Sequence, residues 1–585
     1  MSRFVKNLNL ILVLSILLPS IAFTQDNFRR WSPENGIAVR QGWHTEWFRS
    51  GASRIEGELA GEVALVWADC RSGDYGIYMQ VIDTDGELKF GENGILVADT
   101  TRAQVNPVVC ACSDGGWFVA WEDFSENFSV EIDGSIHCTK INSRGERLWG
   151  ENQRGVPVCA VQHCRSDDIR VLEDSNNGCF IIWRDGRRGD MGDIYGMHVT
   201  GDGVMDRNWE ENGIPIVRAV GGQRQQNLCS DGDGGMIVCW QDGRDDDDYN
   251  VWVQRVTEEG ELLWGDGIIV CNNREYQELP KICSDRSGGA FVVWVNYRDF
   301  GRSNKDIYTQ RVNSDGELLY GDEGAVICGV DEEQHIAQIV ISNEGSAIVC
   351  WEDKRNDRDT YDIYVMRISG EEELVREWEP EACVPVVVAE RNQMQVSISP
   401  DGNGGAYIVW EDERERPFPE LDIWTQRLNS DGDPVWDENG IPVCAGDGCQ
   451  SSPVIYLTDR SCTFVWGDSR TGGGGIYAQQ FSPEGRRLWE DDCLAFEDSI
   501  SGNANSLKLM PRDDGSFVLV WLDGRRGGLG SLPYIQYCRD ADDQMEIELE
   551  NDGIPVFTGT IGGSDQPDAV SVKRGMSSSF GGIVE

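Results

Sequence analysis

Histidine is scarce: five in 585 residues, at His44, His137, His163, His198 and His335, with no shared spacing. No metal cluster and no Ser, His and Asp constellation can be read from them. Cys110 and Cys112 form a CxC, and no CxxC pair with zinc spacing occurs, which argues against a structural zinc site. GxSxG and phosphate-cradling Gly loops are missing as well. Basic residues are outnumbered, 51 Lys and Arg against 101 Asp and Glu, giving a formal net charge of −50 and a pI of about 4.3. Such a surface repels phosphate backbones and anionic headgroups, so neither nucleic acid nor a membrane surface is an expected partner. Beyond residue 24 no apolar run is long enough to cross a bilayer. No amphipathic helix of useful length appears either.

What is present begins with an export signature. Arg3 and Lys6 precede an apolar run from Leu8 to Leu18, and small residues follow at Ser20, Ala22 and Thr24. Residues 1–24 therefore read as a secretory signal peptide, cut after Ala22 or Thr24, with no Cys nearby for a lipid anchor. The expected location is extracellular or periplasmic. Export permits disulfides, yet many of the 19 Cys recur at matching apolar positions. Cys159, Cys271, Cys328 and Cys444 end one strand, Cys229 and Cys283 sit in another, and Cys239 and Cys350 precede a Trp. That recurrence favours small buried hydrophobes over a disulfide framework.

The remainder is a repeat, clearest at Gly234 to Arg244, GGMIVCWQDGR. Its Trp recurs at Trp67, Trp121, Trp183, Trp240, Trp294, Trp351, Trp410, Trp466 and Trp521, at spacings of 54 to 62 residues. Each unit carries four strand-like runs. The first follows a Gln, as at Gln104, Gln277 and Gln450, and the second holds the Trp. The third is of the DIYTQRV type at Asp306, and the fourth of the NGIPV type at Asn439. Gly- and Asp-rich turns join them, as in an antiparallel meander. A four-stranded sheet this small cannot bury both faces alone, and radial stacking solves the problem. The expected fold is therefore all-β, a β-propeller of four-stranded antiparallel blades with nine to ten repeats, in one large ring or two tandem rings.

The chain enters and leaves this pattern out of phase. A fourth-strand copy lies at residues 31–39, before the first full repeat. A partial repeat occupies residues 558–585, where GGIVE stops two residues before an expected Trp. Either the two ends complete one composite blade, or the reading frame is truncated and a further domain was lost.

The DGxxxW turn at Gly260 to Trp264, Gly316 to Tyr320 and Gly485 to Trp489 resembles the tryptophan-docking motif of quinoprotein-type propellers. SPDGNGG before Trp410 is loosely similar to the Asp-box hairpin of sialidase-like propellers, although its aromatic lies farther from the Gly. Both resemblances imply architecture only.

Asp follows the strand-two Trp by two residues in eight repeats, and Arg by four in eight. Either these line one face as a charged ring, or they tie hairpin ends together through charge-assisted hydrogen bonds, which a strictly repeated pair suits better. Length variation gathers between this motif and strand three, and insertions on one face mark a binding face. The candidate binding residues are accordingly Arg187, Asp190, Arg244, Asp245, Arg298, Arg302, Arg355, Arg358, Arg414 and Arg416. The Asp245 to Asp248 run and Asp83 could hold calcium, without reproducing a spaced ligand loop; no other cofactor is indicated. The expected function is a secreted, non-catalytic binding module for an extracellular protein or glycan. The alternative is a glycan-processing enzyme, a sialidase-like hydrolase or lyase, whose site would be polar, axial and different from blade to blade.

Overall fold

The computed structural model describes strands and turns between residues 47 and 555. Residues 1–46 and 556–585, and several loops inside the span, lie outside the described residues. The export signature, the copy at 31–39 and the partial repeat at 558–585 fall there. Among the described residues every regular element is a strand, and no helix is long and apolar enough to cross a membrane.

Among the described residues the strands form nine antiparallel sheets, seven of four strands and two of five. In chain order, sheets 1 to 9 span residues 47–98, 104–164, 167–217, 223–269, 277–328, 334–387, 393–444, 450–497 and 505–555. The folded unit is thus the sequence repeat, in the expected strand order, and the sheets are consistent with a β-propeller. Sheet 1 brings its own first strand, Trp47–Ser53, and the two chain ends expected to form a composite blade lie outside the described residues.

Local residue choice explains each element. Strand one starts at the recurring Gln in Gln104–Ala111, Gln223–Ser230, Gln277–Ser284, Gln334–Asn343, Gln393–Pro400 and Gln450–Leu457. A register shift follows in every one of these strands. In four of them the extra residue is left-handed: Asn106 (φ 51°), Gln225 (56°), Leu279 (55°) and Gln395 (53°). Such a bulge bends the strand and re-aims its side chains. Strand two is buried on both faces, as in Ser346–Asp353, because a neighbouring sheet covers each side. The strand-one hairpin closes on an Asp. Asp231 Oδ1 accepts the Asp233 and Gly235 N–H groups, both at 2.8 Å.

Two Trp sets hold the sheets together. The strand-two Trp is fully buried in sheets 1 to 8. The Trp that closes the DG turn reaches the next sheet, and at Trp149, Trp209, Trp378 and Trp436 its indole N–H donates there. Trp149 bonds Gly201 O at 3.2 Å, Trp209 bonds Glu258 O at 2.9 Å and Trp378 bonds Ser430 O at 3.0 Å. Each indole lies on the Gly of its neighbour's turn. A Cβ on Gly432, where φ is +85°, would stand 2.6 Å from Trp378 Cγ. The first strands of successive sheets lie against one another from Trp47–Ser53 to Asn505–Pro511, and Asn505–Pro511 in turn lies against Trp47–Ser53.

Removing a buried indole leaves a cavity that close packing cannot refill. Trp240→Ala should destabilise the protein by about 3–5 kcal/mol in chemical denaturation, and an unchanged transition would refute the packing role. Gly432→Ala combines a left-handed backbone with a clash, and should cost about 1–3 kcal/mol by the same assay.

Candidate active site

One end of every sheet carries the start of strand one, the end of strand two, the start of strand three and the end of strand four. The repeated Trp, Asp and Arg are tied together there. Trp240 Nε1 donates to Asp242 Oδ2 at 2.7 Å, Arg244 Nη2 bonds the same oxygen at 2.6 Å, and the guanidinium lies 3.6 Å from the Trp252 ring centroid. Equivalent clasps join Trp183, Asp185 and Arg187, then Trp351, Asp353 and Arg355, and Trp410, Asp412 and Arg414. Arg187, Arg244, Arg355 and Arg414 thus have their guanidinium groups engaged within the repeat. Arg358 is exposed and pairs with Glu332 at 2.6 Å. Asp245 pairs with Asp248 in the strand ladder. Asp190, Arg298, Arg302 and Arg416 lie outside the described residues, as does Asp83.

Sheet 5 breaks the rule. Asn296 replaces the Asp, the Trp294 indole N–H finds no partner within the described residues, and Asn296 Nδ2 turns instead to Glu275 Oε2 at 2.6 Å. Around this break, sheets 4 to 7 present side chains that differ from one sheet to the next. In sheet 4, Arg224 Nε donates to Gln241 Oε1 at 2.7 Å and Nη2 to the Tyr276 hydroxyl at 2.9 Å, while its guanidinium covers Tyr249. Tyr276 meets Tyr249 and Tyr297 edge to face, at 5.8 and 5.1 Å. The Tyr297 hydroxyl donates to Glu278 Oε1 at 2.7 Å. Lys305 lies 3.5 Å from Glu278 and 3.4 Å from Glu333, and Lys354 lies 3.3 Å from Glu333. Lys354 also sits 4.4 Å from the Tyr361 ring centroid, and His335 faces Tyr361 at 6.5 Å.

This setting pushes the titrating groups apart. Burial and the Lys305 ammonium hold His335 below its ordinary value, so its neutral form is favoured. Burial and the Glu333 carboxylate push the Tyr361 phenol up, keeping its proton on. Burial opposes ionisation of Glu333, but Lys305 and Lys354 outweigh it and hold that carboxyl down. Glu352, the ladder partner of His335, is 3% exposed. Burial pushes its carboxyl up to about 7, the Glu411 charge adding to the effect, and its Oε1 accepts the Gln395 N–H at 2.7 Å.

At the opposite end of the sheets the hairpin Asp meets a strand-three cation: Lys140 with Asp114, Arg255 with Asp231, Arg311 with Asp285 and Arg427 with Asp401. His198 takes the cation's place in sheet 3, with Nε2 2.7 Å from Asp174 and Nδ1 2.9 Å from Asp206. Asp174, His198 and Glu258 lie close enough to hold a metal ion. Both imidazole nitrogens are already engaged by carboxylates, so the arrangement suits an imidazolium in the cation's place better than a metal ligand.

No family model matches the chain, and no curated protein matches it. Among solved structures it is similar to a family-25 polysaccharide lyase, an ulvan lyase bound to -[GlcA(1-4)Rha3S]-, at TM-score 0.39 and 9% identity over 78% of this chain and 95% of that one. It is also similar to Porphyromonas gingivalis dipeptidyl peptidase 4, at TM-score 0.39 and 10% identity over 76% of this chain and 59% of that one. A thermostable family-43 glycoside hydrolase matches at TM-score 0.25 and 12% identity, over 50% and 95%. Likenesses this distant carry no argument about the chemistry of this chain. The non-catalytic binding module expected from the sequence, and the expectation that the chain is no enzyme, are nonetheless corrected. A scaffold should show near-identical sheets, whereas sheets 4 to 7 bring unlike acids, bases and aromatics together. The solved structures it is similar to are for the most part polysaccharide lyases and glycosidases.

The His198 reading has a pH signature. Burial disfavours its charge, but the hydrogen bonds to Asp174 and Asp206 outweigh burial and raise its pKa. A raised folded value contributes stability that is complete below the unfolded value of about 6.5 and is lost as pH rises through the folded one. The melting-temperature gap between wild type and His198→Gln should therefore be widest near pH 6 and narrow as pH rises. A gap that widened with pH would contradict the charge role.

Proposed function

We propose that the nine sheets close into one propeller ring, supported by the packing of Asn505–Pro511 on Trp47–Ser53. We further propose that the protein is a glycan-processing enzyme, with the reacting sugar over His335 and Tyr361. The observation that carries this reading is a neutral-leaning imidazole beside a proton-retaining phenol, next to the sheet in which Asn296 replaces the clasp Asp. His335 takes a proton and Tyr361 gives one. Lys305 and Lys354, held in place by Glu333, lie where they balance negative charge that builds between the two. This set suits elimination from a carboxylated sugar, because abstracting the proton beside a carboxylate builds that charge. Tyr276 and Tyr297 offer aromatic surface against which pyranose rings pack. Residues 1–24, read as an export signal, suit an enzyme that meets extracellular glycans.

Glu352 supports a second reading. A buried carboxyl near 7 beside the charged Glu411 is the kind of split pair that serves as acid and nucleophile in glycoside hydrolysis. The two reactions leave different products, an unsaturated uronate or a saturated reducing end.

The test is depolymerisation of a panel of acidic and neutral polysaccharides by residues 25–585, with both product types assayed. His335→Gln and Tyr361→Phe should each lower kcat by about 10²–10⁴-fold on an acidic glycan, with melting temperature retained. The acid limb of the rate profile should fall below the ordinary imidazole value of about 6.5. A saturated product lost in Glu352→Gln, with His335→Gln fully active, would move the chemistry to the carboxyl pair. No turnover on any glycan of the panel would overturn the enzyme reading.

A further inference from the structure

The residue before strand four is Gly in most sheets, and its backbone is left-handed. Gly94, Gly155, Gly213, Gly267, Gly324 and Gly440 have φ between 63° and 95°. Side chains are excluded there twice over, because a Cβ would also strike the tip of the strand-two Trp. It would stand 2.5 Å from Trp121 at Gly155, 2.5 Å from Trp183 at Gly213 and 2.7 Å from Trp410 at Gly440. Sheet 6 departs from this rule. Cys383 occupies the position, with φ 58°, and is buried.

What the Cβ brings is a thiol, and that thiol meets another. Cys383 Sγ reaches Ile327 O at 3.9 Å, at the end of strand four of the preceding sheet, and its thiol makes a hydrogen bond with that of Cys328. Arg355 Nη2 lies 2.6 Å from Cys328 Sγ, and its guanidinium also bonds the Cys383 thiol. A cation beside two touching thiols favours the thiolate that attacks in disulfide exchange. The sequence repeats the association. Cys493 immediately precedes strand four of sheet 8, Leu494–Glu497, and Cys444 ends strand four of sheet 7. Both sheets that put Cys in place of this Gly therefore follow a sheet whose last strand ends in Cys. Sheets 3 and 5 follow Cys159 and Cys271 but keep Gly213 and Gly324, so the terminal Cys alone does not draw in a partner.

We propose that Cys328 and Cys383 form a disulfide that staples sheet 5 to sheet 6. The Cys383 thiolate attacks a mixed disulfide at Cys328 Sγ formed with a glutathione-class oxidant. The new S–S bond displaces the oxidant's second thiol; in all, two protein thiols lose two electrons and two protons, and one oxidant disulfide becomes two thiols. The staple would join sheets 5 and 6, the two sheets that Lys305 spans through Glu278 and Glu333.

The experiment uses the full chain, folded in a glutathione redox buffer, unfolded without reductant, alkylated and digested for mass spectrometry. The expected result is one cross-linked species joining the peptides of Cys328 and Cys383. It should be lighter than the separate peptides by the mass of two hydrogens and resolved by dithiothreitol. Cys383→Gly restores the residue of the other sheets and should fold, lose the cross-link and leave Cys328 alkylated. Wild type should also lose melting temperature on reduction, whereas Cys383→Gly should not. Full alkylation of both residues in unreduced, folded wild type would overturn the proposal.

Discussion

Pairing the buried indole N–H of the strand-two Trp organises sheets 3, 4, 6 and 7. The strand-two Trp fills the space between sheets, and its nitrogen then needs an acceptor that is itself buried. Asp two residues on supplies the oxygen, and that buried carboxylate in turn needs the Arg that follows. The recurring Gln of strand one closes the group, as when Gln223 donates to Asp242 at 3.2 Å. Sequence spacing, strand register and inter-sheet packing are thus consequences of satisfying one polar atom.

The same constraint separates scaffold from site. Wherever the clasp is intact, its Arg is held by its own sheet and by the aromatic ring beneath it. Sheet 5 gives up the clasp at Asn296, and the neighbouring side chains take on different work. Lys305, Glu333 and Lys354 form a chain of alternating charge across sheets 5 and 6, and His335 and Tyr361 sit beside it in an environment that favours their neutral forms. A local concentration of cations is notable in a chain of net charge −50. It marks the region where an anionic ligand meets least repulsion.

The fold was legible because the buried Trp recurs and because Gly is required wherever a docked Trp passes close to the backbone. Four-stranded units and their order followed from those two signals. The site was less legible for a physical reason. The expected Arg residues stood out by their regular place after the Trp, and regularity is what a clasp demands. The informative columns were those beside the constant ones. Arg224, Glu278, His335 and Met394 follow the recurring Gln, and Gln241, Val295, Glu352 and Glu411 follow the recurring Trp. Sequence alone shows only that these columns vary, and variation at an exposed edge looks like drift. Register and the bulge in strand one turn the columns toward a common region, which no spacing rule reveals. The His scarcity likewise hid His335, since a single imidazole acquires a partner only when Tyr361 folds beside it.

The central claim is that ligand chemistry resides where the repeat breaks. Hydrogen–deuterium exchange of the full chain, with and without a saturating acidic oligosaccharide, tests it most directly. The account predicts slowed exchange confined to the peptides around Arg224, Tyr276 to Glu278, Tyr297 to Lys305 and Glu333 to Tyr361. Protection falling instead on the regular clasp of sheet 3, or on the hairpin turns around Asp231 and Asp285, would contradict it.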